Sequence, residues 1–448
     1  MANLIFDKAQ IEATIDKIVD RTMRMDMTWD WPCGVAYYGI CEAYEVTKNE
    51  RYLQLVKDRV DEYIELGLPS WTVNTCSMGH CLITLYEHTG DEKYLDIAKS
   101  KVEYLEKEAL RFGDHVLQHT VSVNNDFPEQ AWADTLFMAG FFLLRMGVLL
   151  KDEQLIDDAL NQYYWHIKYL QDPESGLYYH GYNNITGDHM SGIKWGRANA
   201  WAAYTMAQVG VRLPQCYLYP KFLDVVGSLN DQLAALKLYQ TENGLWRTIV
   251  DDAASYEEVS ASAGIAAAMI TKGNPLHIKY INKAIPGMLA NVSPDGRVLN
   301  VSGGTAVMKD ANGYRGISRD WIQGWGQGLA LAERMLTTME QLPRWNGHFY
   351  NWYHTCTLRP MPPLYVSTVD SGNCAAALLT AANALRGWGR DELAARAQML
   401  CDGMDFGPLY DPQRRLMHIG IDTGSGKWSE SYYDLLSSEA RLTSYFAV

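Results

Sequence analysis

Between Gln130 and Trp201 the chain places one carboxylate, Asp134 in AWADTLFM, ahead of an imidazole, His180 in LYYHGYNN, and a guanidinium, Arg197 in WGRANAW. Three indoles, Trp132, Trp195 and Trp201, accompany them. An indole offers a flat apolar face to a sugar ring, a guanidinium pairs bidentately with a carboxylate, and a carboxyl against aromatic walls can be held partly protonated. Together these suit a pocket for an acidic sugar, with Arg197 and then His180 as its cationic anchors. Each residue also has a plainer reading. Asp134 could be a helix cap contributing about 0.5–2 kcal/mol, Arg197 a surface ion-pair partner or a cation stacked on the indole four residues on, and His180 a structural histidine. No nucleophile elbow, P-loop, dinucleotide fingerprint or HExxH is present. Glu129, Asp251 and Asp252 have no assigned role, and Glu257 and Glu258 read as solvated.

These groups must be held by helices. AYEVTKNERYLQLVKDRVDEYI and LYEHTGDEKYLDIAKSKVEYL align with Tyr44 on Tyr86, an offset of 42 residues. Looser copies follow at LLKDEQLIDDALNQ, ITKGNPLHIKYINKAI and GWGRDELAARAQML. In each, an apolar helix meets a polar turn and a second, amphipathic helix begins. Such a unit cannot bury its apolar stripe alone, so neighbours pack side by side. The 3.6-residue period predicts helices near 8–20, 33–47, 50–66, 76–89, 92–108, 129–150, 152–170, 196–210, 217–239, 260–271, 276–289 and 321–340. Twelve helices make six hairpins, and six hairpins in a ring make an all-α (α/α)6 toroid; an open solenoid and a bundle are the alternatives. Aromatic residues concentrate in the connections where inner helices begin: Trp29 and Trp31, Trp71, Trp321 and Trp325. Some of these are expected to face sugar, Trp31 foremost.

Composition narrows the function classes. With 53 acidic against 39 basic residues and a net charge of −14, the chain has no clustered cations with which to bind nucleic acid. The eight cysteines show no metal-ligand spacing and read as reduced, buried, small hydrophobes. No run approaches the roughly 18 apolar residues of a membrane span, and the charged N-terminus resembles neither a signal peptide nor an anchor. The expectation is a cytoplasmic protein, monomer or homodimer, acting on an imported small substrate without metal or organic cofactor.

From about residue 10 to 335, AWADTLFM, GLYYHGYNN, KWGRANAW, NVSGGTAVMKD and GWGQGLALA resemble, in order and spacing, the unsaturated rhamnogalacturonyl hydrolases of glycoside hydrolase family 105. The resemblance implies an (α/α)6 barrel that removes a 4,5-unsaturated uronic acid from the non-reducing end of lyase-generated oligosaccharides. It makes Asp134 the general acid/base, lines the sugar subsite with His180, Arg197 and Trp201, and shapes its walls with Trp132 and Trp195. Asn74 stands where such enzymes often carry a second aspartate, which counts against a two-carboxylate mechanism. From about Leu342 onward, LPRWNGHFYNWYHTCTL and MDFGPLYDPQRRLMHIGID resemble instead the start of the glucoamylase-like region of cyclic β-1,2-glucan synthases. His354 and Cys356 replace an Asp and an Arg of that pattern, so residues 341–448 are expected to form a partly helical, inert extension, joined by fusion to a 1–340 glycosidase domain. The competing readings are an inverting hydrolase or epimerase with two carboxylates, and a non-catalytic carbohydrate-binding toroid.

Overall fold

A computed structural model of the chain describes residues 8–124, 127–213, 218–331, 344–346, 348–350, 364–372, 374–376, 379, 398 and 400–432. The chain divides into two compact units, Lys8–Met335 and a second made chiefly of Leu336–Val448. In the first, helices α1 (Lys8–Thr22), α3 (Glu50–Leu66), α5 (Glu92–Lys107), α7 (Glu153–Leu170), α9 (Pro220–Leu236) and α11 (Ile278–Leu289) alternate with α2 (Trp31–Thr47), α4 (Gly79–Thr89), α6 (Phe142–Leu150), α8 (Gly196–Arg212), α10 (Val259–Lys272) and α13 (Gly324–Leu331). A short helix, α12 (Ala311–Arg315), precedes the last. The second series packs in a closed circuit, α2 on α4, α4 on α6, α6 on α8, α8 on α10, α10 on α13 and α13 back on α2. This is an (α/α)6 toroid with the first series outside.

Sequence separates the two layers. Outer helices are amphipathic: α3 buries Tyr52, Leu53, Val56 and Val60, one stripe at helical spacing. Inner helices are apolar or small on all sides, and α8 is buried from Gly196 to Val209. The closing seam is backbone against backbone. A Cβ on Gly39 of α2 would lie 2.2 Å from the carbonyl oxygen of Gly328 on α13, and one on Gly328 would lie 2.1 Å from that of Val35, so only glycine fits both positions.

The sequence repeat is the hairpin turn. Lys48, Gly90, Lys151 and Gly273 each take a left-handed conformation that stops an inner helix. The next residue, Asn49, Asp91, Asp152 or Asn274, accepts backbone N–H groups of the segment that follows. Tyr44 donates to Glu50 and Tyr86 to Glu92, each at 3.4 Å, so the aligned tyrosines tie inner to outer helix alike. The copy at GWGRDELAARAQML falls largely outside the described residues.

Two expected boundaries move. The helix predicted from 129 begins only at Asp134 and passes through a π-helical turn, Leu136–Phe141, into α6. Gln130–Trp132 is instead a strand paired antiparallel with Gly181–Asn183. The helix predicted from 321 starts at Gly324, and its expected end at 340 lies outside the described residues. No helix among the described residues is long and apolar enough to cross a membrane. The described cysteines are free; five are buried and Cys374 is half-buried.

The second unit has a core of its own. Val366, Ala375, Cys401, Met404, Phe406, Leu409, Met417 and Ile421 cluster around a three-stranded antiparallel sheet of Lys427–Trp428, Gly420–Asp422 and Tyr365–Ser367. His354 and Cys356 lie outside the described residues.

Candidate active site

The strand pair builds the centre. Trp132 is in register with Gly181, and the N–H of Ala133 continues the ladder to the carbonyl of His180 at 3.0 Å. AWAD and YHG, 46 residues apart, are thereby laid side by side, and Asp134 Oδ2 comes 3.3 Å from His180 Nε2. The contact is at ion-pair distance without hydrogen-bond alignment, and among the described residues neither atom has a hydrogen-bond partner. The Asp134 side chain is 14% exposed and His180 1%.

A cavity of about 190 Å³ opens over Asp134, lined also by Trp31, Asn74, His119, Phe127, Trp132, Trp195, Arg197 and the segment Gly304–Ala306. His119 stacks on Trp132 with ring centroids 4.5 Å apart, and its Nδ1 is 3.0 Å from Thr135 Oγ1. Trp31 stacks on Trp325 at 4.2 Å. Asn74 opens the turn ahead of α4. Its N–H donates to Thr120, while its side-chain oxygen is buried with no partner among the described residues.

Electrostatics set the charge states. Burial pushes the Asp134 carboxyl up, but His180, His119 and Arg197 outweigh it and hold the group below its ordinary value. Burial, with Arg197 nearby, holds His180 down in spite of Asp134, and burial pushes His119 down to about 4. At neutral pH the free site therefore holds one carboxylate flanked by two neutral imidazoles.

Arg197, expected as the cationic anchor, reaches the cavity, but its terminal nitrogens are already engaged by the protein. One terminal nitrogen donates to Ser302 O and Oγ, both at 2.9 Å, and to Ser260 Oγ; the other donates to Gly303 O at 2.8 Å and Thr305 Oγ1. It also lies 3.5 Å from Glu258. Glu258, read from sequence as solvated, is fully buried: it caps α10 through Ala261 N–H and accepts from Ser260 and from Ser302 N–H and Oγ. A buried guanidinium needs a counter-charge, and Glu258 supplies it. The pair pins Ser302–Thr305, whose last two residues line the cavity.

Trp201 also departs from expectation. One turn beyond Arg197 on a helix buried on every side, it has no exposed surface, packs on Phe137 5.0 Å away and is not among the cavity's lining residues. Trp29 and Trp71 flank the ammonium of Lys101, at 5.2 and 3.8 Å. That buried lysine donates to Thr75 O and is lowered by burial to about 8. Trp321 is exposed. Thus Asp134, Arg197, Trp195, Trp132, Asn74 and Trp31 meet at the cavity, with His180 directly behind. Sequence reasoning missed His119, Glu258 and Tyr314, whose hydroxyl lies 2.7 Å from His180 Nδ1. Of the three only Glu258 left a trace, an acid directly before a run of small helix formers.

The profile of Glycosyl Hydrolase Family 88 matches residues 6–341. The chain belongs to this family. The chain is 52% identical over 334 residues to the unsaturated rhamnogalacturonyl hydrolase YesR of Bacillus subtilis (strain 168), spanning 74% of this chain and 96% of that protein. Its fold matches, with a TM-score of 0.70 and 27% identity, the crystal structure of a possible member of the GH105 family from Salmonella enterica serovar Paratyphi A, over 74% of this chain and 94% of that one. An 84-residue stretch of the chain is 38% identical to the cyclic β-(1,2)-glucan synthase NdvB of Rhizobium meliloti (strain 1021). That stretch is 19% of this chain but only 3% of the synthase, too small a part to bring an activity with it. Among the described residues no group of acidic, His and Cys side chains could hold a metal ion.

Proposed function

We propose that this family 88 hydrolase removes a 4,5-unsaturated uronic acid from the non-reducing end of short, lyase-generated oligosaccharides of rhamnogalacturonan type, with Asp134 as its general acid/base. The observation that carries the reading is Asp134 itself, the one acidic side chain among the described lining residues of the cavity, enclosed by indoles and facing an imidazole. The 52% identity to YesR supports the substrate class. The cavity, about 190 Å³, is smaller than the roughly 300–1,000 Å³ of drug-sized ligand sites, which suits one terminal sugar ring with the rest of the oligosaccharide outside.

An unsaturated uronide is a vinyl ether, and one carboxyl suffices to hydrate it. The Asp134 carboxyl delivers its proton to C4, and the positive charge that develops is shared by C5 and the ring oxygen. Water adds to C5 and returns a proton to the carboxylate. The C5 hemiketal opens to a ketone, leaving C1 as a hemiacetal that expels the aglycone as an alcohol. Asp134 is ionised in the free site, so it must gain a proton when substrate binds. The negative uronate does this by raising the aspartate's pKa through like-charge repulsion. The two-carboxylate reading requires a second acid roughly 6.5–9.5 Å across the pocket; the described lining residues offer none, and Glu258 is consumed by Arg197.

The test is the ultraviolet absorbance of the conjugated enol ether, followed on a panel of lyase-generated disaccharides. Wild type is expected to bleach rhamnogalacturonan-derived disaccharides and Asp134→Asn to leave them intact while folding normally. Turnover retained by the variant would remove Asp134 from the role, and binding of disaccharide without any turnover would favour the carbohydrate-binding alternative.

A further inference from the structure

We propose that Tyr314 is a positioning residue for this reaction: its hydroxyl donates to Nδ1 of His180 and so fixes the imidazole in the tautomer that carries its proton on Nε2, facing Asp134. The inference rests on the function proposed above and concerns what sets the proton pattern of the site. Tyr314 comes from α12, a five-residue helix capped by Asp310, which accepts from Gly313 N–H. The residue is fully buried, with its oxygen 2.7 Å from Nδ1.

The imidazole cannot easily turn away. Trp195 lies over it with ring centroids 4.1 Å apart, Trp132 meets it edge-on at 5.3 Å, and its own backbone N–H and carbonyl are engaged by Ile193 and Ala133. One nitrogen therefore faces a phenol and the other a carboxylate. If Nδ1 carried the proton, the lone pair of Nε2 would confront the ionised Asp134 across 3.3 Å, lone pair against lone pair. With the proton on Nε2, the phenol donates to Nδ1 and the positive end of the Nε2–H dipole faces the carboxylate, an attractive contact even without hydrogen-bond alignment. Burial pushes the phenol up to about 12, so its proton stays on the oxygen, available to Nδ1, throughout the neutral range. The charged and titratable groups around the pair are Asp134 ahead of α6, His119 from the preceding segment, Arg197 on α8 and, behind Arg197, Glu258 at the start of α10.

Tautomers of a buried histidine are read directly by nitrogen-15 NMR. Selective labelling confines the signals to the 11 histidines of the chain, and His180→Gln assigns the one in question by loss of its resonance. In the wild type, His180 is expected to show a protonated Nε2 and a bare Nδ1. In Tyr314→Phe this pattern should give way to the other tautomer or a mixture. In the ultraviolet assay the variant's pH–rate limb belonging to Asp134 should move to higher pH by about one unit, the equivalent of losing the favourable Nε2–H dipole beside the carboxylate, with kcat lowered more than KM.

A wild-type His180 protonated on Nδ1 would overturn the inference without any variant. So would a folded Tyr314→Phe that keeps both the tautomer and the pH profile. The resonance assignment needs no turnover. A wild type with the expected tautomer but no activity on unsaturated disaccharides would therefore reject the proposed function and leave the Tyr314 contact standing.

Discussion

Two carboxylates, Glu258 fully buried and Asp134 half-buried, sit at the starts of inner helices of the same ring and have opposite surroundings. Glu258 ahead of α10 has the Arg197 charge 3.5 Å away, an N–H from its own helix, and N–H and hydroxyl donors from Ser260 and Ser302. Asp134 ahead of α6 has one neutral imidazole at 3.3 Å, out of hydrogen-bond alignment, and a face on the cavity. A carboxylate whose lone pairs are all taken is held ionised and still, and its work is structural. One left under-satisfied is costly to the empty fold and is free to change proton and partner when a ligand arrives. The contrast gives Glu258 an architectural place and supports the chemistry proposed for Asp134, although the chain gives both the same residue class at the start of a helix.

The largest effect should be on Asp134. Asp134→Asn is expected to lower kcat/KM on unsaturated disaccharides by about 10²–10⁴-fold, the usual contribution of a general acid/base, with an unfolding midpoint equal to or above wild type. A variant that lost stability in step with activity would erase the contrast. Glu258→Gln should behave in reverse. Removing the counter-charge of a buried guanidinium costs about 3–5 kcal/mol, read as a loss of unfolding free energy in urea. If Glu258→Gln kept wild-type stability and lost only catalysis, Glu258 would have to join the chemistry.

A third measurement probes the imidazole beside Asp134. Burial pushes His119 down to about 4, whereas an unfolded histidine titrates near ~6.5. Between those values the unfolded chain binds the proton first. The stability contributed by the neutral, buried ring is thus complete above about pH 6.5 and is lost as pH falls toward 4. His119→Gln should flatten the stability–pH curve over that window by about 3 kcal/mol. His166, also pushed down to about 4, remains in both proteins and cancels in the difference. An unchanged curve would show that His119 is not the desolvated neighbour that the comparison needs.

The toroid was legible because its layers follow local rules: apolar inner helices, amphipathic outer ones, and a turn of αL residue plus Asn or Asp that recurs from Lys48–Asn49 to Gly273–Asn274. Asp134, Arg197 and Trp195 were legible because residue type and helix-end position coincide in short motifs. What escaped was set by ring closure. Tyr314 reaches His180 across 134 residues and Ser302 reaches Glu258 across 44, separations that no periodicity encodes. Trp201 was misplaced for a related reason: four residues from Arg197 fixes a shared helix face, but on an all-buried inner helix a single turn separates cavity from core. Glu258 looked solvated because the second of two adjacent acids carries no mark of the guanidinium it meets.

The smallest expected effect lies between the two carboxylates in kind. The side-chain oxygen of Asn74 is buried at the cavity wall with no partner among the described residues. Like Asp134 it is under-satisfied, yet like Glu258 it sits on a fixed frame, the turn held by Thr120 and by Lys101 through Thr75. A neutral hydrogen bond is worth about 0.5–1.5 kcal/mol net, so Asn74→Ala should cost up to about tenfold in kcat/KM, chiefly through KM. The unfolding free energy should hold or rise, because the truncation removes an unpaired polar atom. A fall in stability with normal KM would mean that Asn74 serves the frame alone. A loss well beyond tenfold, confined to kcat, would mean that the reaction uses Asn74 together with Asp134, and the single-carboxyl account would need a second participant.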